Sequence, residues 1–151
     1  MEQASKNYKI IKFITSRFGP LEITEDKIIY FPQGILGFFD LKRYILIDHG
    51  EDGIFKWLQA LDNPDVAFLL TDPLRFKPDY RIALATEQAR FLKIKDASDV
   101  VIMAMVCFPK EEPPCITLNL KGPVLFNSIN MMARQIVLEG EEYSHQYKIT
   151  S

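Results

Sequence analysis

Four aspartates fall within one stretch of the chain: Asp62, Asp65, Asp72 and Asp79. Carboxylates held in pairs do general acid–base work or bind a cation. Asp65, Asp72 and Asp79 each adjoin a proline, and an aspartate in a turn commonly bonds its own backbone. Their spacing makes no D-x-D/N-x-D/N-G calcium loop. The two histidines, His49 and His145, stand beside polar or acidic residues, so a surface role is the default. The chain has no H-E-x-x-H, no G-x-x-x-x-G-K-S/T, no G-x-G-x-x-G and no G-x-S-x-G. Cys107 and Cys115 form no C-x-x-C pair, and Cys107, in an apolar run, is expected to be a buried free thiol. No cofactor or metal is implied. The enzymatic alternative is a small carboxylate-based hydrolase, or a ligand-binding β-barrel, built on Asp62 to Asp79.

Aromatic residues beside turns carry more signal. Phe31, Phe38 and Phe39 bracket Gly34 to Gly37, and Phe76 and Tyr80 bracket Pro78. Exposed aromatics on rigid turns serve as anchors for protein partners; folded back, the same rings would plug the ends of a small barrel. Arg75 to Arg81 could be an RNA-stacking segment. It is one short stretch in a chain with 18 Lys+Arg against 20 Asp+Glu and a net charge of −2, a poor footprint for a nucleic-acid binder. Arg90, Lys93 and Lys95 read as the solvated side of a helix. Glu139, Glu141 and Glu142 surround Gly140, as a solvated turn or a contact for a basic partner.

The elements that must position these residues are mostly strands. Ile10–Thr15, Leu21–Thr24, Lys27–Phe31, Tyr44–Asp48, Phe55–Leu61, Val66–Thr71, Asp99–Phe108, Ile116–Leu120, Val124–Asn127 and Arg134–Leu138 are β-rich and divided by Pro, Gly and Asp/Asn. Val66 to Leu70 is apolar on both faces, which predicts cover on both sides. Phe31 to Gly34 and Asn63 to Val66 suit type I turns. Asp40 to Tyr44 reads as one helical turn capped by Asp40. Thr86 to Lys93 is the best helix, with Thr86 as N-cap and Ala85, Ala89 and Leu92 on one face. The pattern is an all-β sandwich or barrel with a small helical addition. At 151 residues the chain suits one domain, residues 1–151, with 1–9 and 144–151 as mobile ends. Met1 to Lys12 lacks the apolar core of a signal peptide. The longest apolar run, Val100 to Phe108, is far shorter than a membrane span. A cytoplasmic protein is expected.

Four blocks together resemble a known family. Phe31-Pro32-Gln33-Gly34-Ile35-Leu36-Gly37-Phe38 is similar to the F-P-x-G-x-x-G-F signature of the flagellar assembly factor FliW family. Trp57 to Phe68 resembles its next block, followed by Asp72-Pro73 and Pro78-Asp79-Tyr80. Asn119 to Asn127 matches N-L-x-x-P-x-x-x-N, and Gln135 to Leu138 with Tyr143 complete the run. The resemblance spans Phe13 to Tyr143. It departs at Leu36 to Asp40, where many members carry Pro and an acidic residue, at the less basic Asn130 to Arg134, and in the tail after Tyr143.

The resemblance implies a mainly β, compact single-domain β pseudobarrel of short, mostly antiparallel strands with one or two short helices. It implies a non-catalytic binding protein with two partners. One is CsrA, the RNA-binding translational repressor, whose repression of flagellin synthesis it relieves. The other is flagellin, bound in a chaperone-like way. No direct nucleic-acid or membrane contact is implied, and the protein is expected to be monomeric alone. The expected protein-binding residues are Phe31, Pro32, Phe38, Asp62, Asn63 and Asp65, with Glu139, Glu141 and Glu142 as a second acidic element. Trp57 and Phe68 are assigned to the core.

Overall fold

The computed structural model describes residues 7–149. Strands β1 (Ile10–Thr15) and β2 (Gly19–Thr24) form a separate hairpin. The other strands are β3 (Ile29–Tyr30), β4 (Arg43–His49), β5 (Phe55–Ala60), β6 (Ala67–Thr71), β7 (Val100–Cys107), β8 (Thr117–Asn127), β9 (Met132–Gln135) and β10 (Tyr147–Lys148). From β3 to β8 each pairs antiparallel with the next. β9 then pairs antiparallel with β8 and parallel with β3 through Tyr30 and Met132. The sheet therefore closes on itself, which removes the open edges a seven-strand sheet would otherwise expose. β10 takes the remaining length of the β8 edge at Thr117 and Leu118. The single α-helix among the described residues, α1 (Thr86–Phe91), lies between β6 and β7.

Three apolar clusters follow from the strand patterns. The interior holds Ile29, Phe31, Ile35, Tyr44, Leu58, Leu70, Val124 and Phe126, with Phe68 against them. Outside it, Tyr80, Ala104, Val106, Leu118 and Leu120 are covered by Phe76, Ile82, Tyr143, Tyr147 and Ile149. On another side, Ile28, Ile45 and Leu61 are covered by Ile11, Phe13, Leu21 and Ile23 of the β1–β2 hairpin. Successive side chains of a strand point to opposite faces. On β6, Phe68 and Leu70 face the interior and Leu69 the outer cluster. On β7, Met103 and Met105 face in while Ala104 and Val106 face out. The double-sided apolar runs are thus covered on both sides, as expected.

Several elements differ from the sequence reading. Lys27–Phe31 supplies only the two-residue β3, because Glu25–Lys27 turns as a 3-10 helix. The helical turn over Asp40 to Tyr44 does not form. Lys42 instead accepts the Phe31 amide at 2.8 Å and the chain is already extended at Arg43. Helix α1 starts at Thr86, with Ala85 as its N-cap and no side-chain cap bond. It is held by the fully buried Leu92 at its C-terminal end. Ile116–Leu120 and Val124–Asn127 are one bent strand, β8, whose register to β7 shifts between Met103 and Met105. Asn119 fills the bend, its Oδ1 accepting from the Lys121 and Gly122 amides at 3.1 and 2.8 Å.

Arg134–Leu138 contributes β9 only through Gln135; beyond it, the Ile136 and Leu138 amides bond the Pro123 and Lys121 carbonyls. Of the expected mobile ends, residues 1–6 and 150–151 lie outside the described residues. Residues 144–149 are tied to β8 by β10 and by the Leu120 amide on the Ser144 carbonyl. Cys107, expected to be buried, is exposed: it is the last residue of β7, on the Met103 and Met105 face but beyond the interior cluster. Trp57 is only half-buried. It lies outside the barrel under the β1–β2 turn, with the Arg17 guanidinium 4.0 Å from its ring and Phe18 edge-on at 6.3 Å. Trp57 pairs with Ile47, whose side chain faces the hairpin and not the interior.

Candidate functional site

The loop between β3 and β4 is built from two buried pegs and an exposed tip. Phe31 is 1% exposed and packs edge-on against Tyr44 at 5.1 Å. The Gly34 amide donates to the Phe31 carbonyl at 2.8 Å and closes the first turn around Pro32 and Gln33. Ile35, the second peg, is as buried as Phe31. The Phe38 amide donates to the Ile35 carbonyl at 2.6 Å, closing a second turn over Leu36 and Gly37. Gly34 has φ +67, and a Cβ on it would sit 2.6 Å from the Phe39 Cα and 2.7 Å from two carbonyl oxygens. Only glycine fits that crossing of the chain over itself.

This folding pushes Leu36, Phe38 and Phe39 outward, at 56%, 38% and 58% exposure. Phe38 leans edge-on against Phe68 of β6 at 5.3 Å. The tip is braced from three sides. The Leu36 amide donates to Gln135 Oε1 at 3.1 Å, Arg134 Nε to Gln33 Oε1 at 2.8 Å, and Lys42 Nζ to the Pro32 carbonyl at 3.0 Å. Arg134 is itself held by Glu87 and Gln88 of α1. Helix and β9 therefore position the loop and hold its apolar tip in place, which lowers the ordering cost of a contact made there.

The sequence-derived candidates take three positions. Phe31, Pro32 and Phe38 belong to the loop, with Phe31 inside and Pro32 and Phe38 outside. Asp62 stands at the same rim, bonded twice by Arg43, at 2.6 and 3.0 Å. The Arg43 guanidinium holds the Asp62 carboxyl below the usual carboxylate range. Both side chains are about two-fifths exposed, so this pair contributes well under ~1 kcal/mol to stability. Asn63 Oδ1 accepts the Asp65 amide at 3.0 Å, and the Val66 amide returns to the Asn63 carbonyl at 3.2 Å. The Asp65 carboxylate accepts the Ser16 hydroxyl and so faces the β1–β2 hairpin. Glu139, Glu141 and Glu142 are exposed where the chain leaves β9, beside Lys121, whose Nζ bonds the Gly140 carbonyl at 2.9 Å. No hydrogen bond or ion pair among the described residues joins these three positions to one another.

The remaining carboxylates of the Asp62 to Asp79 stretch are occupied separately. Asp72 accepts the Leu74 amide and caps a 3-10 turn at Pro73–Arg75. Asp79 pairs with Lys77 at 3.0 Å, which pulls its carboxyl down. A general acid needs a raised carboxyl, and the two that shift here shift the other way. Among the described residues, no group of three or more His, Cys, Asp and Glu is arranged to hold a metal. Sequence reasoning passed over Leu36 as a contact residue and gave no role to Gln135 or Arg134. The signal for Leu36 was its place before Gly37 at a turn tip; the braces, about a hundred positions away, left no local signal.

The fold and this rim define a small β pseudobarrel that presents a braced apolar loop. The model of the family described as "FliW protein" matches residues 12–149, and the chain belongs to that family. It is similar to the "Flagellar assembly factor FliW" of Geotalea uraniireducens, 43% identical over 137 residues, 91% of this chain and 83% of that one. It is 40% identical to the flagellar assembly factor FliW of Caldanaerobacter subterraneus, over 89% of this chain and 90% of that one. The crystal structure of a flagellar assembly factor FliW superposes with a TM-score of 0.83 at 28% identity, covering 93% of this chain and 98% of that chain. The mainly β fold expected from the sequence is the fold of that structure.

Proposed function

We propose that this protein is a non-catalytic, cytoplasmic regulator that binds the translational repressor CsrA and, in exchange, flagellin. Membership of the flagellar assembly factor family along almost the whole chain carries this reading. The chemistry of the rim supports it. Leu36, Phe38 and Phe39 offer apolar area on a rigid loop, the kind of anchor that dominates binding energy at an interface. Glu139, Glu141 and Glu142 offer exposed carboxylates. A repressor that binds RNA carries a basic surface, and acidic groups steer such a partner. Binding away from the RNA surface would act through coupling between the two ligands, which is reciprocal. On its own the protein is a monomer; it uses no cofactor and contacts neither nucleic acid nor membrane. Among the described residues no helix is long and apolar enough to cross a membrane.

Calorimetric titration with CsrA of the same host, repeated on protein saturated with flagellin, tests this directly. Binding that flagellin abolishes is the expected outcome. Binding of neither partner would end the proposal. For the surface, Phe38→Ala should weaken at least one partner by about tenfold or more, as an interface anchor does, and Asp65→Lys should weaken the basic one. If both substitutions leave both affinities unchanged, the docking face lies elsewhere.

A further inference from the structure

On the side of the barrel away from the β3–β4 loop, a strand position is vacant. β6 and β7 pair only at Leu70 with Met105 and Thr71 with Ala104. Continued in register, Asp72 to Arg75 would pair with Val100 to Met103. They do not, because Asp72 caps the 3-10 turn Pro73–Arg75 and Pro73 has no amide proton to give a ladder. Val100–Met103 keeps β8 on one edge. On its other edge, among the described residues, no strand lies beside it; the Val100 amide closes the preceding 3-10 turn onto the Ala97 carbonyl, and the groups beyond it have no strand partner there. In an antiparallel strand alternate residues direct both N–H and C=O to the same edge. Past the Val100 amide, this stretch therefore aims its remaining donors and acceptors on that edge outward.

That edge forms one wall of a groove of about 750 Å³. The floor and opposite wall are apolar at Leu70, Ile82 and Met103, with Tyr80 buried behind them by its bond to the Leu120 carbonyl. Two guanidiniums stand at the groove. The Arg75 guanidinium has no hydrogen-bond or ionic partner among the described residues, and the Arg81 guanidinium bonds only the carbonyls of Pro78 and Tyr80. The one lining carboxylate, Asp72, is occupied by the Leu74 amide. The third lining cation, Lys56, already pairs with Asp48. The groove thus leaves three things unmatched at once: backbone ladder groups, an apolar lining and guanidinium charge.

We propose that this groove receives an extended peptide segment of a partner protein, added as a strand beside Val100–Met103. Its alternate apolar side chains enter the groove, and a carboxylate on it meets Arg75 and Arg81. Main-chain bonds at a sheet edge supply affinity, and pockets for alternate side chains supply selection. Arginine favours carboxylates because its planar fork bonds both oxygens. The surface is distinct from the Phe38 loop, and the proposal does not rest on the partners named above.

The test uses the full chain and a set of acetylated, amidated heptapeptides alternating Val and Thr, with one Glu walked through each position. Labelled peptides are titrated by fluorescence anisotropy. At least one Glu peptide should bind, and binding should slow hydrogen exchange of groove-facing amides within Val100–Met103. Its Lys counterpart should bind about tenfold more weakly or worse. The double variant Arg75→Glu, Arg81→Glu, altered only at exposed residues, should reverse that preference. Methylating alternate peptide amides should abolish binding in one phase and spare it in the other. No binding by any Glu peptide at millimolar concentration, equal binding after methylation in both phases, or an unchanged preference in the double variant would overturn the proposal. So would binding of dodecanoate with no peptide bound, which would make the groove a site for small amphiphiles.

Discussion

Two buried tyrosines show how one hydroxyl can help or burden a core. Tyr80 donates its hydroxyl to the Leu120 carbonyl at 2.7 Å, at the bend in β8. Tyr44 is fully buried in the barrel interior, and its hydroxyl has no partner among the described residues. Removing one partner of a buried bond costs the desolvation of the group left behind. Tyr80→Phe should therefore cost ~1–3 kcal/mol in urea unfolding, whereas Tyr44→Phe should be neutral or stabilise by up to ~1 kcal/mol.

Burial pushes both phenols up to about 12 from 10.0. A folded state that keeps a proton the unfolded chain has released loses stability as pH rises. Each tyrosine's contribution is thus intact below about pH 10 and lost between about pH 10 and 12, at ~1.4 kcal/mol per pH unit. Tyr44→Phe should flatten that alkaline slope relative to the parent, measured as unfolding free energy against pH. The sequence showed that aromatics cluster at turns. It could not show which rings point in, since Phe31 and Phe38 flank one turn and end on opposite sides of it.

At the scale of an element, the β3–β4 loop rests on glycine for two different reasons. Gly34 combines φ +67 with backbone atoms 2.6–2.7 Å from any Cβ, while Gly37 has φ +85 and open space around it. Gly37→Ala should cost only the conformational penalty, about 1 kcal/mol. Gly34→Ala should cost clearly more, because backbone and not a flexible side chain must move. Equal losses in thermal or urea unfolding would mean the loop does not cross itself as described. The turn residues here were legible in the sequence: Pro32 and Gly34 mark the first turn, and Asn63 and Pro64 the second. The helical turn at Asp40 was misread because Asp40 has the local chemistry of a cap. The bond from the Phe31 amide to Lys42 overrides it. In β8, the apparent break at Lys121 to Pro123 is a bend within one strand, because Asn119 satisfies the amides a break would have left open.

For the whole molecule, the C-terminal segment is structural. Tyr143 stacks edge-on to Tyr80 at 4.6 Å, its hydroxyl bonding both the amide and carbonyl of Arg81 at 2.8 and 2.9 Å. Tyr147 and Ile149 complete the outer cluster. A chain ending at Glu142 should lose about 3 kcal/mol or more, since each large apolar side chain uncovered is worth ~1.5–3 kcal/mol. Its urea midpoint should fall, and exposed apolar surface should bind a hydrophobic dye. An unchanged midpoint would show the segment to be a dispensable tail, as its polar composition suggests. The barrel also needs β9, four residues that join β8 to the two-residue β3. No periodicity could show a closure resting on so short a pairing.

The sequence by itself determined that this is a β protein, which strands are covered on two faces, where the chain turns, and which family it resembles. Those properties are local: alternation, proline, glycine and motif spacing act within a few residues of one another. Only the tertiary structure decided which aromatics are pegs and which are exposed, that Trp57 lies under the hairpin turn, and that Gln135 and Arg134 brace a loop about a hundred positions away. It also decided that, among the described residues, Val100–Met103 has a strand on one edge and none on the other. These depend on contacts between segments far apart in the chain, and burial is a property of the closed fold that no single segment carries.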